Sequence, residues 1–454
     1  AAGEDKRLSY EAHEATWSHL DLSPDGNTIL FDVLGDIYRV PAKGGDAKPV
    51  LTGDAWERDA VLSPDGQWMA FISDRSGVTN LWIARPDGSE ARQLSSDTSL
   101  VLYTSPAWAP DGKSIYISRA VHRVLAFELW RFPVDGSEPA LLVEAQPNGD
   151  EGWDDRINAL GAAPTPDGKA VYYATKLGHT WTEDDPPNWS IARKDLASGK
   201  VETVIPGGMR PVLSPDGTLL AYAARFGAQT GLRLRNLVTG TDRWLTFPVD
   251  RDGQEGGYYY DLLPRFEFTG DGKAILLSKG GTFHRFDIAS GSMADIPFAA
   301  PVDLTLKPNS RVHQRVDSGP VVTHLAEGAA RSPDGKQAAF TALGTLYVKP
   351  LSGDGDARAL YKGNAFRPSW SPDGKTLYFV TWTAAAGGQV MTIPADGGEA
   401  VAVTGRGAYW SEVIAARDGT ALIALRGNQY ERLHAVDEIA PAYPMDVVRI
   451  PLDG

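Results

Sequence analysis

The sequence predicts an all-β fold, a β-propeller of four-stranded antiparallel blades, from three observations. A Ser-Pro-Asp-Gly-like tetrapeptide returns nine times, and each copy precedes an alternating apolar run. Glycine and proline are also abundant, at 48 and 31 of 454 residues, as expected of many tight turns joining short strands.

The tetrapeptide stands at 23–26, 63–66, 109–112, 165–168, 214–217, 269–272, 332–335, 371–374 and, degraded, 416–419. After it come runs such as Thr28-Ile29-Leu30-Phe31 and Ser114-Ile115-Tyr116-Ile117, whose alternation reads as a half-buried strand. A second landmark follows, for example Asp36-Ile37-Tyr38-Arg39-Val40, Asn80-Leu81-Trp82-Ile83 and Glu128-Leu129-Trp130-Arg131-Phe132, each leading to another turn. Short segments such as Ala91-Arg92-Gln93-Leu94 complete a fourth strand. Four strands in each repeat of about 40 to 60 residues make a propeller blade. The recurring aspartates, Asp25 through Asp418, read as turn residues, since a catalytic carboxylate is not needed in every blade.

The whole chain, 1–454, is expected to form a single propeller of about nine repeats. Its last repeat stops at Pro451-Leu452-Asp453-Gly454, short of a fourth strand, while Lys6 to Tyr10 is an unassigned strand at the other end. The expectation is that this N-terminal strand completes the last blade and closes the ring, removing exposed edges. An open array or a ring of different count are the alternatives. Insertions interrupt the period at 146–160, 176–189, 247–263, 297–328 and 427–444. Several are acidic and aromatic, which makes Trp153, Trp181, Trp189, Tyr258, Tyr259 and Tyr260 the binding candidates. The other reading of these rings is that they fold onto blade edges.

The net charge of −14 opposes a nucleic-acid partner, and no apolar run is long enough for a membrane helix. Cysteine is absent, so thiolate chemistry and disulfides are excluded. The start, Ala1-Ala2-Gly3, has the small residues that flank a signal-peptidase cut, so the expected location is periplasmic or secreted. There is no G-x-S-x-G nucleophile elbow and no P-loop. Asp250-Arg251-Asp252-Gly253 and Asp354-Gly355-Asp356 start like calcium loops, but the later Glu of a full loop is missing from both. No catalytic residue, metal ligand set or cofactor is therefore assigned.

These repeats resemble the Tol-type propeller. More narrowly, four stretches resemble the N-terminal propeller region of bacterial metal-dependent amidohydrolases. They are Ala12-His13-Glu14-Ala15-Thr16-Trp17 leading into Leu20 to Gly26, Phe31 to Tyr38, Ile296 to Leu304, and Tyr378-Phe379-Val380-Thr381-Trp382. That resemblance implies a hydrolase half with a His-x-His pair, a bridging Lys and an Asp around a metal. None of the eight histidines, His13, His19, His122, His179, His284, His313, His324 and His434, forms such a pair. The resemblance thus implies a propeller scaffold that gates or positions substrate for a covalently following hydrolase domain. The alternative is a stand-alone Tol-type periplasmic propeller that binds protein partners in the cell envelope.

Overall fold

The computed structural model describes residues 5–121, 126–147, 152, 155–178, 189–254, 261–307, 319–433 and 444–453. Among these residues the sheets are antiparallel propeller blades in sequence order, eight of them four-stranded and the last three-stranded, with one further, mixed three-stranded sheet that includes the N-terminal strand. The nine tetrapeptides each join the first two strands of a blade. In the first, Gly26 N–H donates to Ser23 O at 2.7 Å, and Asp25 Oδ1 accepts from Ser23 Oγ at 2.6 Å and from Asn27 N–H at 3.0 Å. These donors hold the Asp25 carboxyl below its ordinary pKa, and Gly26 supplies the φ of +73° that reverses the chain.

The chain falls into two compact units, residues 1–311 and 312–454, where the repeats suggested a single body over 1–454. The larger unit holds six blades and the smaller three. In the larger unit each pair of neighbouring blades encloses an apolar cluster. Leu30, Ile37, Met69 and Phe71 lie between the first two, and Ile72, Leu81, Tyr103 and Ile117 between the next two. The sixth blade packs back on the first through Phe31 and Phe283, whose ring centroids are 5.1 Å apart. Six blades therefore close on themselves. In the smaller unit, Leu346, Trp370 and Phe379 lie between the first two blades, and Val380, Val390 and Leu422 between the last two.

Closure is not the one expected from the sequence. Lys6–Ala12 pairs antiparallel with Phe298–Leu306 over its full length, from Lys6 opposite Leu306 to Ala12 opposite Ala300, and Arg7 bridges to Asp303 at 2.7 Å. Among the described residues the last blade, Tyr409–Ala415, Ala421–Gly427 and Met445–Pro451, takes no strand from the N-terminus. Phe298–Leu306 buries Phe298, Ala300 and Val302 against the first and sixth blades, which fixes this strand beside the joint where Lys6–Ala12 pairs with it. On its other side it adds Gly45–Asp46 of the first blade in parallel, so this small sheet clasps the joint between the sixth and first blades. Tyr38 of the first blade also donates its hydroxyl to Pro301 O at 3.1 Å.

Candidate functional site

The innermost strands of the larger unit share an irregularity. Pairing shifts register between Arg58 and Val61, Thr104 and Ala107, Leu160 and Ala163, and Met209 and Val212. Inside each shift one residue is left-handed: Asp59 at φ +56°, Ser105 at +56°, Gly161 at +67° and Arg210 at +50°. Each stands four residues before its turn tetrapeptide, and the same position in the first and sixth blades holds His19 and Arg265. A bulge re-aims a side chain that regular alternation would place on a sheet face. Here it brings residues from separate blades together.

Asp59 Oδ2 accepts from Arg58 Nη1 at 2.7 Å and from the Ser105 N–H at 3.3 Å, while its Oδ1 faces His19 Nε2 at 3.2 Å. Ser105 Oγ donates to Asp261 and accepts from Arg210 Nη1 at 2.9 Å, and Arg210 also pairs with Asp261. The Arg265 N–H donates to His19 Nδ1 at 3.3 Å, and Arg265 Nη2 lies 3.3 Å from Asp21. Gly161 leaves the room for this network: a Cβ there would sit 2.7 Å from Asp261 Oδ2. His19, Asp59, Ser105, Arg210 and Asp261 are all buried. The result is a polar plug in which each arginine meets a carboxylate.

Burial drives the His19 pKa down to about 4, helped by Arg210 and Arg58, so its ring is neutral at physiological pH. With Nδ1 accepting from the Arg265 N–H, the proton of the neutral ring is on Nε2, which lies 3.2 Å from Asp59 Oδ1 but outside hydrogen-bond geometry. Burial opposes the Asp59 charge, but His19, Arg58 and the Ser105 N–H outweigh it and hold its pKa below the ordinary value. Asp21 moves the other way, raised by burial and by facing Glu267. A serine, a histidine and an aspartate thus meet in one cluster without forming a nucleophilic triad. His19 Nδ1 is taken by the Arg265 N–H, Nε2 lies toward Asp59 and has no hydrogen bond to the serine, and the serine hydroxyl is held by Asp261 and Arg210.

The plug separates two cavities. One, of about 300 Å³, lies at the turn end and is lined by Pro24, Pro64, Pro215, Arg210, Arg265 and Glu267 among others. The other, of about 440 Å³, lies at the opposite strand end against the first two blades. Its walls include Trp17, Asp32, Leu34, Trp56, Glu57 and Asp59. Leu34 and Gly35 form a left-handed pair at φ +54° and +85°, the hairpin tip beside which Trp56 packs. A Cβ on Gly35 would lie 2.9 Å from that indole, so glycine is required there both for its φ and for the ring above it. Asp32 is lifted to about 7 by burial and by Asp59, and burial raises Glu57 as well.

Of the binding candidates read from the sequence, Trp189 is misplaced as a recognition residue. It is fully buried with Phe127, Leu160, Met209 and Phe266, since the chain re-enters the fourth blade at Ser190 and carries the ring inward. Trp153, Trp181, Tyr258, Tyr259 and Tyr260 lie outside the described residues. Asp252, of the calcium-like stretch, is instead buried against Arg225 Nε at 3.0 Å. His13 and His284 bond to Phe298 O and Asp295, in line with scattered packing roles. Sequence reasoning missed His19, Asp32, Trp56, Asp59, Arg210 and Asp261. The available signal was the fixed offset of four residues before each turn, which marks His19, Asp59 and Arg210.

No family model matches the chain. Tricorn protease homolog 1 of Streptomyces coelicolor is 25% identical over 380 residues, covering 80% of this chain and 32% of that protein. The peptidase YuxL of Bacillus subtilis is 38% identical over 84 residues, 18% of this chain and 12% of its own. The Tol-Pal system protein TolB of Anaeromyxobacter dehalogenans is 46% identical over 48 residues, 11% of each chain. The chain therefore spans about a third or less of these relatives. Among solved structures, tricorn protease covers 95% of this chain and 39% of its own at 14% identity, with a TM-score of 0.45. Among the described residues no helix is long and apolar enough to cross a membrane.

Proposed function

We propose that the chain is the propeller scaffold of an exported amidohydrolase-type hydrolase, which binds and positions substrate for a catalytic domain outside residues 1–454. The observation that carries this reading is the plug. The axis of the larger unit is filled by paired charges, which suits a rigid support, while the adjoining cavity of about 440 Å³ offers side chains suited to recognition. The four connective stretches quoted above give the amidohydrolase direction, and the matches to segments of larger peptidases agree with a propeller joined to a hydrolase.

A second reading, a stand-alone Tol-type propeller of the periplasm that docks other proteins, is favoured by the local identity to TolB. The native polypeptide distinguishes them. It is to be captured from the source cell with an antibody against the larger unit, then weighed intact and analysed for metal. A species well above 48.9 kDa that holds metal and hydrolyses amides supports the scaffold reading. A metal-free species of about that mass in complex with envelope proteins overturns it in favour of the second.

A further inference from the structure

We propose that the cavity beside the first two blades binds a primary ammonium group carrying an apolar substituent. The inference does not rest on the hydrolase reading, because the lining lies entirely within residues 10–59 of the larger unit.

Charge is the first argument. The lining holds four carboxylates, Glu14, Asp32, Glu57 and Asp59, against one arginine, Arg58, and the neutral His19. Arg58 is directed to Asp59 Oδ2 at 2.7 Å and to Tyr103 O at 2.6 Å. Glu57 Oε1 is taken by Arg75 and by Ser73 Oγ at 3.2 Å, whereas Glu57 Oε2 is buried and accepts no hydrogen bond. Glu57 is only 2% exposed. A buried carboxylate oxygen without a donor is costly, and a ligand N–H is the group that would remove the cost. Asp32 Oδ2 accepts the Asp59 backbone N–H at 3.0 Å and the carboxyl also meets the His19 backbone N–H, while among the described residues no lysine or arginine forms an ion pair with it.

Shape is the second argument. Trp56 is 49% exposed and Leu34 equally so, and with Trp17 they give the cavity an apolar wall beside its acidic floor. Both indoles are held in place, since Trp56 packs on Gly35 and Trp17 on Gly253, where a Cβ would lie 3.0 Å from the ring. Indole faces attract cations, and a volume of about 440 Å³ accepts a group of dipeptide size. A compact inorganic ion would leave the aromatic wall unused. An ammonium with an apolar body uses both surfaces.

The test is calorimetric titration of the full chain with 2-phenylethylammonium, 2-phenylethanol, phenylalanylglycine amide and the N-acetylated form of that dipeptide. The two ammonium probes should bind at least about tenfold more tightly than their uncharged counterparts. Binding of the dipeptide alone identifies a peptide N-terminus as the source of the ammonium, and binding of the small amine alone identifies a free amine. Binding should strengthen from about pH 6 to about pH 8 as Asp32, facing Asp59, Arg58 and the His19 N–H, loses its proton. Asp32→Asn keeps an acceptor for the Asp59 N–H, so it should fold, lose about tenfold in affinity and lose that pH dependence. Trp56→Ala should weaken binding severalfold in protein that still unfolds cooperatively. Equal affinity for amine and alcohol, undiminished binding by folded Asp32→Asn, or no binding by any probe overturns the proposal.

Discussion

The two units place different residues at the same point of the repeat. Four residues before the turn, the larger unit carries His19, Asp59, Ser105, Gly161, Arg210 and Arg265, and the smaller carries Gly328, Arg367 and Glu412. The backbone device is shared, because Gly328 and Arg367 are left-handed at φ +60° and +51°, like their counterparts. Both units even make an ion pair with it. Arg210 meets Asp261 with 4% and 0% of the side chains exposed, whereas Arg367 meets Glu412 at 3.3 Å with 55% and 45% exposed. Geometry delivers the charges in each case, and solvent decides what they are worth: a buried pair is expensive to break, while an exposed one contributes little.

The largest effect should come from Arg210→Met, which leaves Asp261 buried without its cation. Chemical denaturation should show the larger unit losing about 3 to 5 kcal/mol. A loss similar to that of an exposed pair would mean that water reaches the plug. Gly161→Ala comes next, adding both a left-handed non-glycine residue and a Cβ 2.7 Å from Asp261 Oδ2. A loss of about 2 kcal/mol is expected in the same measurement. Alanine tolerated without loss would show that the plug can rearrange.

Between these and the smallest effect lies the pH dependence. Asp32 is raised to about 7, so between its unfolded pKa and about 7 the folded state holds the extra proton, and stability from this group falls as pH rises. His19, lowered to about 4, acts oppositely: the unfolded state holds the extra proton between about 4 and 6.5, and stability rises with pH. The two largely cancel in the wild-type chain. Asp32→Asn removes this falling contribution, so its stability relative to the wild-type chain should climb with pH across that window by up to about 1.4 kcal/mol per pH unit. Parallel wild-type and variant curves would contradict the assigned shift. Arg367→Met should cost least, under about 1 kcal/mol, and a larger loss would show that the exposed pair is more than a surface contact.

The blades were legible because each turn repeats the same chemistry, and Asp25 and Gly26 serve the local backbone wherever they stand. Closure was not legible, since Lys6 to Tyr10 fits any free edge and Phe298–Leu306 was hidden inside an apparent insertion. The plug escaped notice for the opposite reason to the turns. Its residues share a position but not a type, as histidine, aspartate, serine, glycine and arginine complement one another across the axis rather than repeat. Trp189 misled because an acidic loop precedes it, although its ring belongs to the buried side of the following strand.

The clasp of Lys6–Ala12 on Phe298–Leu306 also bears on how the chain comes into being. Lys6–Ala12 leaves the ribosome, or a translocation pore, well before its partner, which follows almost 300 residues later, as the register from Ala12 opposite Ala300 shows. At about 5 to 20 residues per second this is a delay of roughly 15 to 60 s during synthesis. Throughout it, the first blade has neither Phe283 nor Phe298 to cover Phe31, so that aromatic face and a free strand edge are presented together. A growing chain of this design is most vulnerable to sticking at this first blade. A holdase that shields the first blade during synthesis would therefore protect it more than one that acts after release.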